Sequence, residues 1–357
     1  MMTEIVPVIN PGSTSTKIAV WTRDKSLFEE SVKHPSDQLA KFDKVTEQYE
    51  LRLAAIRRSF DSFGIQAHKL VAVAGRGAPL KPLEGGTYSI NQAMLDDLHA
   101  CKYANHASNL GAIIATKLAE EYRVEAYVVD PITIDNFIPE ARISGVPEIP
   151  RKCRSHALNI KANAREVAAS IGRTIETANF IVAHLGGGVS VCALRCGAII
   201  DVNDALLGMG PFSPDRAGAL PIGALVKLCY SGKFTEKQMT DRLSKESGLL
   251  AYLGTSDLIE VEKMIGTGDS KAREIFNAMT YQIAKEIGAM SATLRGDIDG
   301  IILTGGMAHS RMLLDEIEQY VSHIGKVFER PGELEMRALA EGVFRVVDGK
   351  ETPKEYI

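Results

Sequence analysis

Residues 5–21, IVPVINPGSTSTKIAVW, constrain the fold more than any other stretch of the chain. An apolar run ends at Asn10, the chain passes through Pro11-Gly12 and four hydroxyl residues (Ser13, Thr14, Ser15, Thr16), and an apolar run resumes after Lys17. Asn, Pro and Gly are turn formers, so the pattern predicts strand, tight turn, strand. Few side chains in such a turn are large enough to block a ligand, and its N–H groups and hydroxyls can converge on an anion, phosphate first among them. A hairpin tip that meets only water has the same composition.

The theme returns downstream. Residues 180–194, FIVAHLGGGVSVCAL, are again apolar run, turn and apolar run. Their three glycines, Gly186, Gly187 and Gly188, either let a ligand approach or let the chain turn with φ > 0. In residues 299–310, DGIILTGGMAHS, a strand runs into Gly305-Gly306 ahead of a helix predicted from residue 312. A helix start there is suited to meet a nucleotide. One hairpin in each half, each with strand–helix units behind it, predicts two similar α/β halves facing across a cleft, with both polar loops on one polyphosphate.

Composition sets the limits. The chain has 357 residues, enough for two domains, each with its own core. Its formal charge of −4 comes without any Lys/Arg block, which argues against nucleic acid or an anionic membrane as partner. The five cysteines (Cys101, Cys153, Cys192, Cys196, Cys229) form no C-x-x-C pair, so reduced thiols in the cytoplasm are expected and a zinc site is not. The start of the chain does not read as a signal peptide. The most apolar long window, 178–201, is interrupted by His184, Arg195 and glycines, so no membrane span is expected.

Between the hairpins, helical spacing runs over 37–63 and stops at Gly64, and residues 70–80 read as a buried strand running into a Gly-rich turn, with Arg76 at the strand end between two glycines, where no neighbour crowds the guanidinium. Helices are predicted over 89–102, 106–122, 159–173 and 333–347, and a strand ends at Asp130-Pro131. Residues 132–154 hold three prolines and no period, reading as an interdomain connection. The apolar helices around 220–230 and 273–290 suit either a core or a dimer interface. No G-x-x-x-x-G-K-[ST], G-x-G-x-x-G or protein-kinase motif is present, so ATP, if bound, sits in neither a Walker loop nor a Rossmann turn.

Asn10-Pro11-Gly12-Ser13-Thr14-Ser15-Thr16-Lys17 resembles the N-x-G-S-x-S-x-K signature of the acetate and butyrate kinases, and His184 to Ser190 resembles their H-L-G-x-G-x-S signature. The resemblance continues through Arg76, Asp130, His156, Asp215-Arg216-Ala217-Gly218, Ser247 to Leu250 and Leu303 to Ser310, in the family's order over nearly the whole chain. It implies the duplicated ribonuclease H-like fold of actin, Hsp70 and the sugar kinases. The expected division is 1–152 plus 336–357 on the acyl-substrate side and 153–335 on the nucleotide side.

The implied reaction is phosphorylation of a short-chain carboxylic acid by ATP and Mg²⁺. A carboxylate is already an anion at neutral pH, so this chemistry needs cations more than a base. The resemblance gives Arg76 and Arg216 to the acyl carboxylate and the transferring phosphoryl group, Asp130 to the reaction centre, and His156 to the phosphoryl oxygens. Asn10, Gly12, Ser13, Ser15, Lys17, His184, Gly186, Gly187 and Gly188 go to the phosphates, and Gly305, Gly306 and Met307 to the nucleoside. Asn10 with either Glu333 or Glu335 would position the metal. His106 matches a family histidine loosely, and Arg151 and Arg154 read as surface or hinge residues. Ile259 and His309 stand where acetate kinases typically carry an arginine and an acidic residue.

The Pro-Gly-Ser-Thr-Ser-Thr-Lys form and compact length resemble the butyrate kinase branch. Ala78, where acetate kinases have a bulkier residue, is expected to line the substrate pocket and leave space for methylenes worth roughly 0.8 kcal/mol each. That favours butyrate or a branched acid such as isobutyrate or isovalerate over acetate, with an acetate or propionate kinase as the alternative. A homo-oligomer, dimer or higher, is expected. The rival readings are a sugar or polyol kinase using Asp130 as base, and an ATP-switched, chaperone-like protein.

Overall fold

A computed structural model describes residues 3–357. The chain divides into two compact units, residues 1–135 with 334–357, and residues 136–333.

The first unit is built on a six-stranded mixed sheet. Its strands are β1 (Val6–Pro11), β2 (Ser15–Trp21), β3 (Ser26–Lys33), β4 (Ala72–Arg76), β5 (Thr87–Ser89) and β6 (Glu125–Val129), in the order β3-β2-β1-β4-β6-β5. β1, β2 and β3 form an antiparallel meander, while β4 and β6 continue parallel to β1. Apolar residues of the helices Tyr49–Phe63 and Asn109–Tyr122 (Leu53, Ile56, Phe60, Leu110, Ile114) close a core with Ile9, Ile18, Val20 and Val73. The terminal helix Glu335–Val347 packs on β1, β4 and β6 of this unit, and Gly342 leaves room for the side chain of Val129.

The second unit repeats that topology on five strands: β7 (Asn179–Leu185), β8 (Val189–Arg195), β9 (Ala198–Val202), β10 (Gly300–Gly305) and β11 (Val327–Pro331), in the order β11-β10-β7-β8-β9. An antiparallel meander is again followed by two strands parallel to its first. Its core joins Ile181, Ala183, Val189 and Val191 to Phe276, Met279, Ile283 and Ile287 of the helix Ser270–Thr293.

Some expectations are corrected. The helix predicted over 37–63 is three pieces, a short turn of helix Ser36–Leu39, a 3₁₀ turn Val45–Gln48 and the helix Tyr49–Phe63. The expected boundary at 152/153 and the observed division at 135/136 differ by residues 136–152. Within the second unit, Ile138 N–H donates to Ile200 O at 3.2 Å and Arg151 Nη2 donates to Asp201 Oδ1 at 2.6 Å. Arg151 is therefore a clamp on β9, not a surface cation. Of the two apolar helices, Ser270–Thr293 serves the core, whereas Ile222–Cys229 buries none of its residues. No helix among the described residues is long and apolar enough to cross a membrane.

Candidate functional site

In the first unit the loop between β1 and β2 is tight. Pro11 pairs with Thr16, and the Gly12 N–H donates to Ser15 O at 2.7 Å. The loop is braced from within by Arg52, on which sequence reasoning placed no role. Its fully buried guanidinium donates to Gly12 O at 2.8 Å, Ser13 O at 2.9 Å, and Ser15 O and Thr16 Oγ1 at 3.3 Å. Gln48 Oε1 takes the remaining face, at 2.8 and 3.1 Å. Burial pulls the Arg52 pKa down to about 10. His34 adds a second brace, its Nε2 at 2.9 Å from Thr16 Oγ1. Burial, and then the Arg52 charge, hold its pKa down at about 4.

Asn10, near the end of β1, donates to Glu335 Oε2 at 3.2 Å, and Arg76 Nη2, at the end of β4, lies 3.4 Å from Glu335 Oε1. Glu335 is thus the acidic residue beside Asn10, while Glu333 belongs to the second unit, in the pocket described below. Arg76 Nη1 is buried and donates to nothing among the described residues, a donor ready for an anion. The glycines around Arg76 have a different reason from the one expected. A Cβ on Gly75 would come within 2.5 Å of Gly111 O, and one on Gly77 within 2.5 Å of Pro131 Cα, so both permit backbone packing. The charge of Arg76 and, more strongly, desolvation draw the His106 pKa below its ordinary value.

Asp130 is buried and has φ of 40°, a left-handed conformation uncommon outside glycine and more tolerable for Asp than for most residues. Its Oδ1 accepts from Gly86 N–H at 2.8 Å, and its own N–H donates to Gly86 O at 2.9 Å. Ala78 does not line an open pocket. It is 1% exposed and packs with Leu80, Tyr88, Met94, Ala112 and Ile113, so its small size answers to the core.

In the second unit, none of Gly186, Gly187 and Gly188 has positive φ, which removes backbone turning as their explanation. Two of them are close-approach glycines instead. A Cβ on Gly188 would lie 2.7 Å from the guanidinium carbon of Arg216, and one on Gly186 would lie 3.0 Å from His184 Nε2. Gly187 is open, with Asp215 Oδ2 the nearest atom at 4.0 Å. The turn bearing Arg216 is fixed by Ser213, whose Oγ donates to Gly187 O at 2.5 Å, and by Ser247 N–H donating to Asp215 O at 3.0 Å. Arg216 Nη1 donates to Ala205 O, and its Nε, 3.7 Å from Asp215 Oδ1, is buried without a hydrogen-bond partner among the described residues. Burial pushes the Asp215 carboxyl up, with Arg216 opposing.

His156 and His184 stack in parallel with ring centroids 3.9 Å apart and 13° between planes. His156 Nδ1 is 2.9 Å from Ser190 Oγ, and His184 Nδ1 is 2.9 Å from Asn159 Nδ2. Beside them a cavity of about 650 Å³ is lined by Gly186, Gly187, Asp215, Ile259, Gly306 and Met307, among others, a size that suits a small organic ligand. Gly305 ends β10 at φ 94°, and the helix Arg311–Val321 begins only after a 3₁₀ turn, Gly306–His309, so it is that turn, with its Met307, that meets the cavity.

The residues expected at one centre therefore fall into two groups. Asn10, Arg76 and Glu335 meet in the first unit, and His156, His184, Gly186 to Gly188, Arg216 and Met307 meet in the second. Lys17 points outward from β2 and is exposed.

Residues 150–327 match the model of the acetokinase family. Among solved structures, the acetate kinase of Porphyromonas gingivalis aligns with a TM-score of 0.78 at 18% identity, over 96% of this chain and 100% of that one. A propionate kinase from Francisella tularensis gives 0.75 at 18% identity, over 95% and 98%. The acetate kinase of Entamoeba histolytica gives 0.76 at 17% identity, over 95% and 98%. Over residues 150–327 the chain thus carries the acetokinase-family sequence, and over nearly its whole length it has the two-domain α/β fold of the acetate and propionate kinases.

Proposed function

We propose that this chain transfers the γ-phosphoryl group of ATP to a short-chain carboxylic acid, with butyrate the preferred acid. The observation that carries the reading is the Arg216 guanidinium laid over Gly188, in the same loop that His184 approaches. A cation and imidazoles gathered on a glycine loop suit a transferring phosphoryl group, and they lie in the stretch that matches the acetokinase family. Butyrate rests on the form of the first signature and the compact length of the chain, since Ala78 is a core residue.

The carboxylate oxygen attacks the γ-phosphorus, the bond to the β–γ bridging oxygen breaks, and ADP leaves with that electron pair. Arg76 binds the acyl carboxylate through its unpartnered Nη1, which offsets the repulsion between two anions. Arg216 and the Nε2 of His184 take up charge on the phosphoryl oxygens, while His156 supports the His184 ring by stacking. Asn10 and Glu335 supply the oxygen donors that suit Mg²⁺, a hard cation that keeps most of its waters. When bound, the metal offsets phosphate charge and helps align the nucleotide. Asp130 orients the end of β6 through Gly86. A homo-oligomer belongs to the same reading, and light scattering of the purified chain tests it.

The test is a panel of acetate, propionate, butyrate, isobutyrate and isovalerate with ATP and Mg²⁺, trapping the acyl phosphate as a hydroxamate. Butyrate is expected to give the highest kcat/KM, and acetate in first place would overturn the specificity. Turnover of polyols but no acids would instead favour the sugar-kinase reading, and ATP hydrolysis indifferent to any acid the chaperone-like one.

A further inference from the structure

We propose that Asn159 is a positioning residue that fixes the tautomer of His184, so that this histidine presents an Nε2–H to the glycine loop. Four polar side chains form a network in the interior of the second unit. Asn159 and Thr304 are 0% exposed, Asn163 and His184 2%.

The network has one polarity, and it can be read from an atom that cannot change role. Asn163 Nδ2 lies 2.8 Å from the Asn159 backbone carbonyl, which can only accept, so the amide nitrogen of Asn163 faces Asn159. The same nitrogen is 3.0 Å from the Asn159 side chain, so the atom facing it there is Oδ1. The Nδ2 of Asn159 consequently points the other way, to His184 Nδ1 at 2.9 Å and Thr304 Oγ1 at 3.1 Å. An amide NH₂ has two hydrogens and no acceptor, and here each hydrogen has one partner. Thr304 passes its own hydrogen to Gly332 O at 3.3 Å.

His184 Nδ1 is therefore an acceptor, and the ring proton of the neutral imidazole sits on Nε2. A proton on Nδ1, whether in the other tautomer or in the imidazolium, would meet an amide N–H. The ring is held by its stack on His156, and Nε2 lies on the side of Gly186. An N–H aimed at the loop stabilises a phosphoryl oxygen, whereas a lone pair in that place repels it. Asn159 acts only through His184.

The inference rests on the acyl-kinase reading for its activity readout, but not for its spectroscopic one. Asn159→Asp keeps the shape, lets Asn163 and Thr304 donate to the new carboxylate, and reverses the demand on His184 Nδ1. With histidine-selective ¹⁵N labelling, and His184→Gln to assign the signal, the wild type is expected to show the Nε2–H tautomer and Asn159→Asp a protonated Nδ1. In the same variant kcat should fall about 10²- to 10³-fold, the cost of losing one such donor, with KM for ATP within about threefold and an unchanged far-UV spectrum. A wild type with its proton on Nδ1 overturns the proposal whether or not the variant folds, as does Asn159→Asp with an unaltered tautomer and kcat. A wild type inactive on every acid would fail the acyl-kinase reading, and the spectrum would still decide the tautomer.

Discussion

The guanidinium of Arg52, in the helix Tyr49–Phe63, donates to the backbone carbonyl of Gly12 at 2.8 Å and is itself wholly shielded from solvent. Its hydrogen-bond partners among the described residues are carbonyls, one hydroxyl and the Gln48 amide, with no carboxylate. A buried cation so placed ties up the carbonyls of the β1–β2 loop. It also puts uncompensated positive charge beneath a turn proposed to hold phosphate. Arg52→Met removes both effects and takes a donor from the part-buried carbonyls of Gly12, Ser13 and Ser15. Its expected cost is about 2–4 kcal/mol in urea unfolding, with a raised KM for ATP. Arg52→Lys keeps the charge without the planar fork and should fall between. Arg52→Met unfolding within 1 kcal/mol of wild type would contradict the bracing role.

His34 predicts an acid limb of stability. Its folded value of about 4 lies below the ordinary 6.5, with burial the main cause and Arg52 the second. Between those two values the unfolded chain binds more protons than the folded one, so stability is complete above pH 6.5 and is lost as pH falls towards 4. At 1.36 kcal/mol per unit, the loss approaches about 3 kcal/mol. Denaturant midpoints at pH 7.0 and 4.5 should differ more for wild type than for His34→Gln. Equal differences would remove His34 from the account.

What the sequence made legible follows from how local each signal is. The two hairpins, the glycine run and the strand end at Arg76 are contiguous patterns, and the turn residues and apolar runs that specify them sit side by side. Arg52 and Asn159 were invisible for the opposite reason. Each lies in the first turn of a helix, where Arg and Asn ordinarily meet solvent, and each matters through residues 25 to 145 positions away. Ala78 was misread because a small residue next to a strand end looks the same whether it faces a pocket or the core. The choice between Glu333 and Glu335 needed three dimensions, since it depends on which of them reaches Asn10.

Glu335→Gln tests that choice. Glu335 accepts from Asn10 and sits beside Arg76, whereas Glu333 lines the cavity in the second unit. If Asn10 and Glu335 position the metal, Glu335→Gln should raise the Mg²⁺ concentration for half-maximal activity about tenfold or more, as loss of a metal-orienting group commonly does. Glu333→Gln should leave that value within about twofold. The reverse ranking would move the metal to the other residue.

Two neighbouring glycines separate a crowded loop from an open one. At Gly188 an added Cβ would fall 2.7 Å from the Arg216 guanidinium carbon, and the Asn203 side chain anchors both β8 nearby, at Val191 N–H, and the Val189 carbonyl. The strand is thus held, and Arg216 has to give way. At Gly187 the nearest atom to an added Cβ is 4.0 Å away, and φ there is compatible with alanine. Gly188→Ala should therefore displace Arg216 and lower kcat/KM about 10²-fold, the order expected when a group in the reaction is misplaced by about 1 Å, while the unfolding midpoint changes little. Gly187→Ala should stay within about fivefold, unless the phosphate itself needs the space above it. Adding Arg216→Ala to Gly188→Ala should cost little further, because the first change has already removed what Arg216 does. Full additivity of the two losses would mean that Gly188 serves the loop by some route other than Arg216.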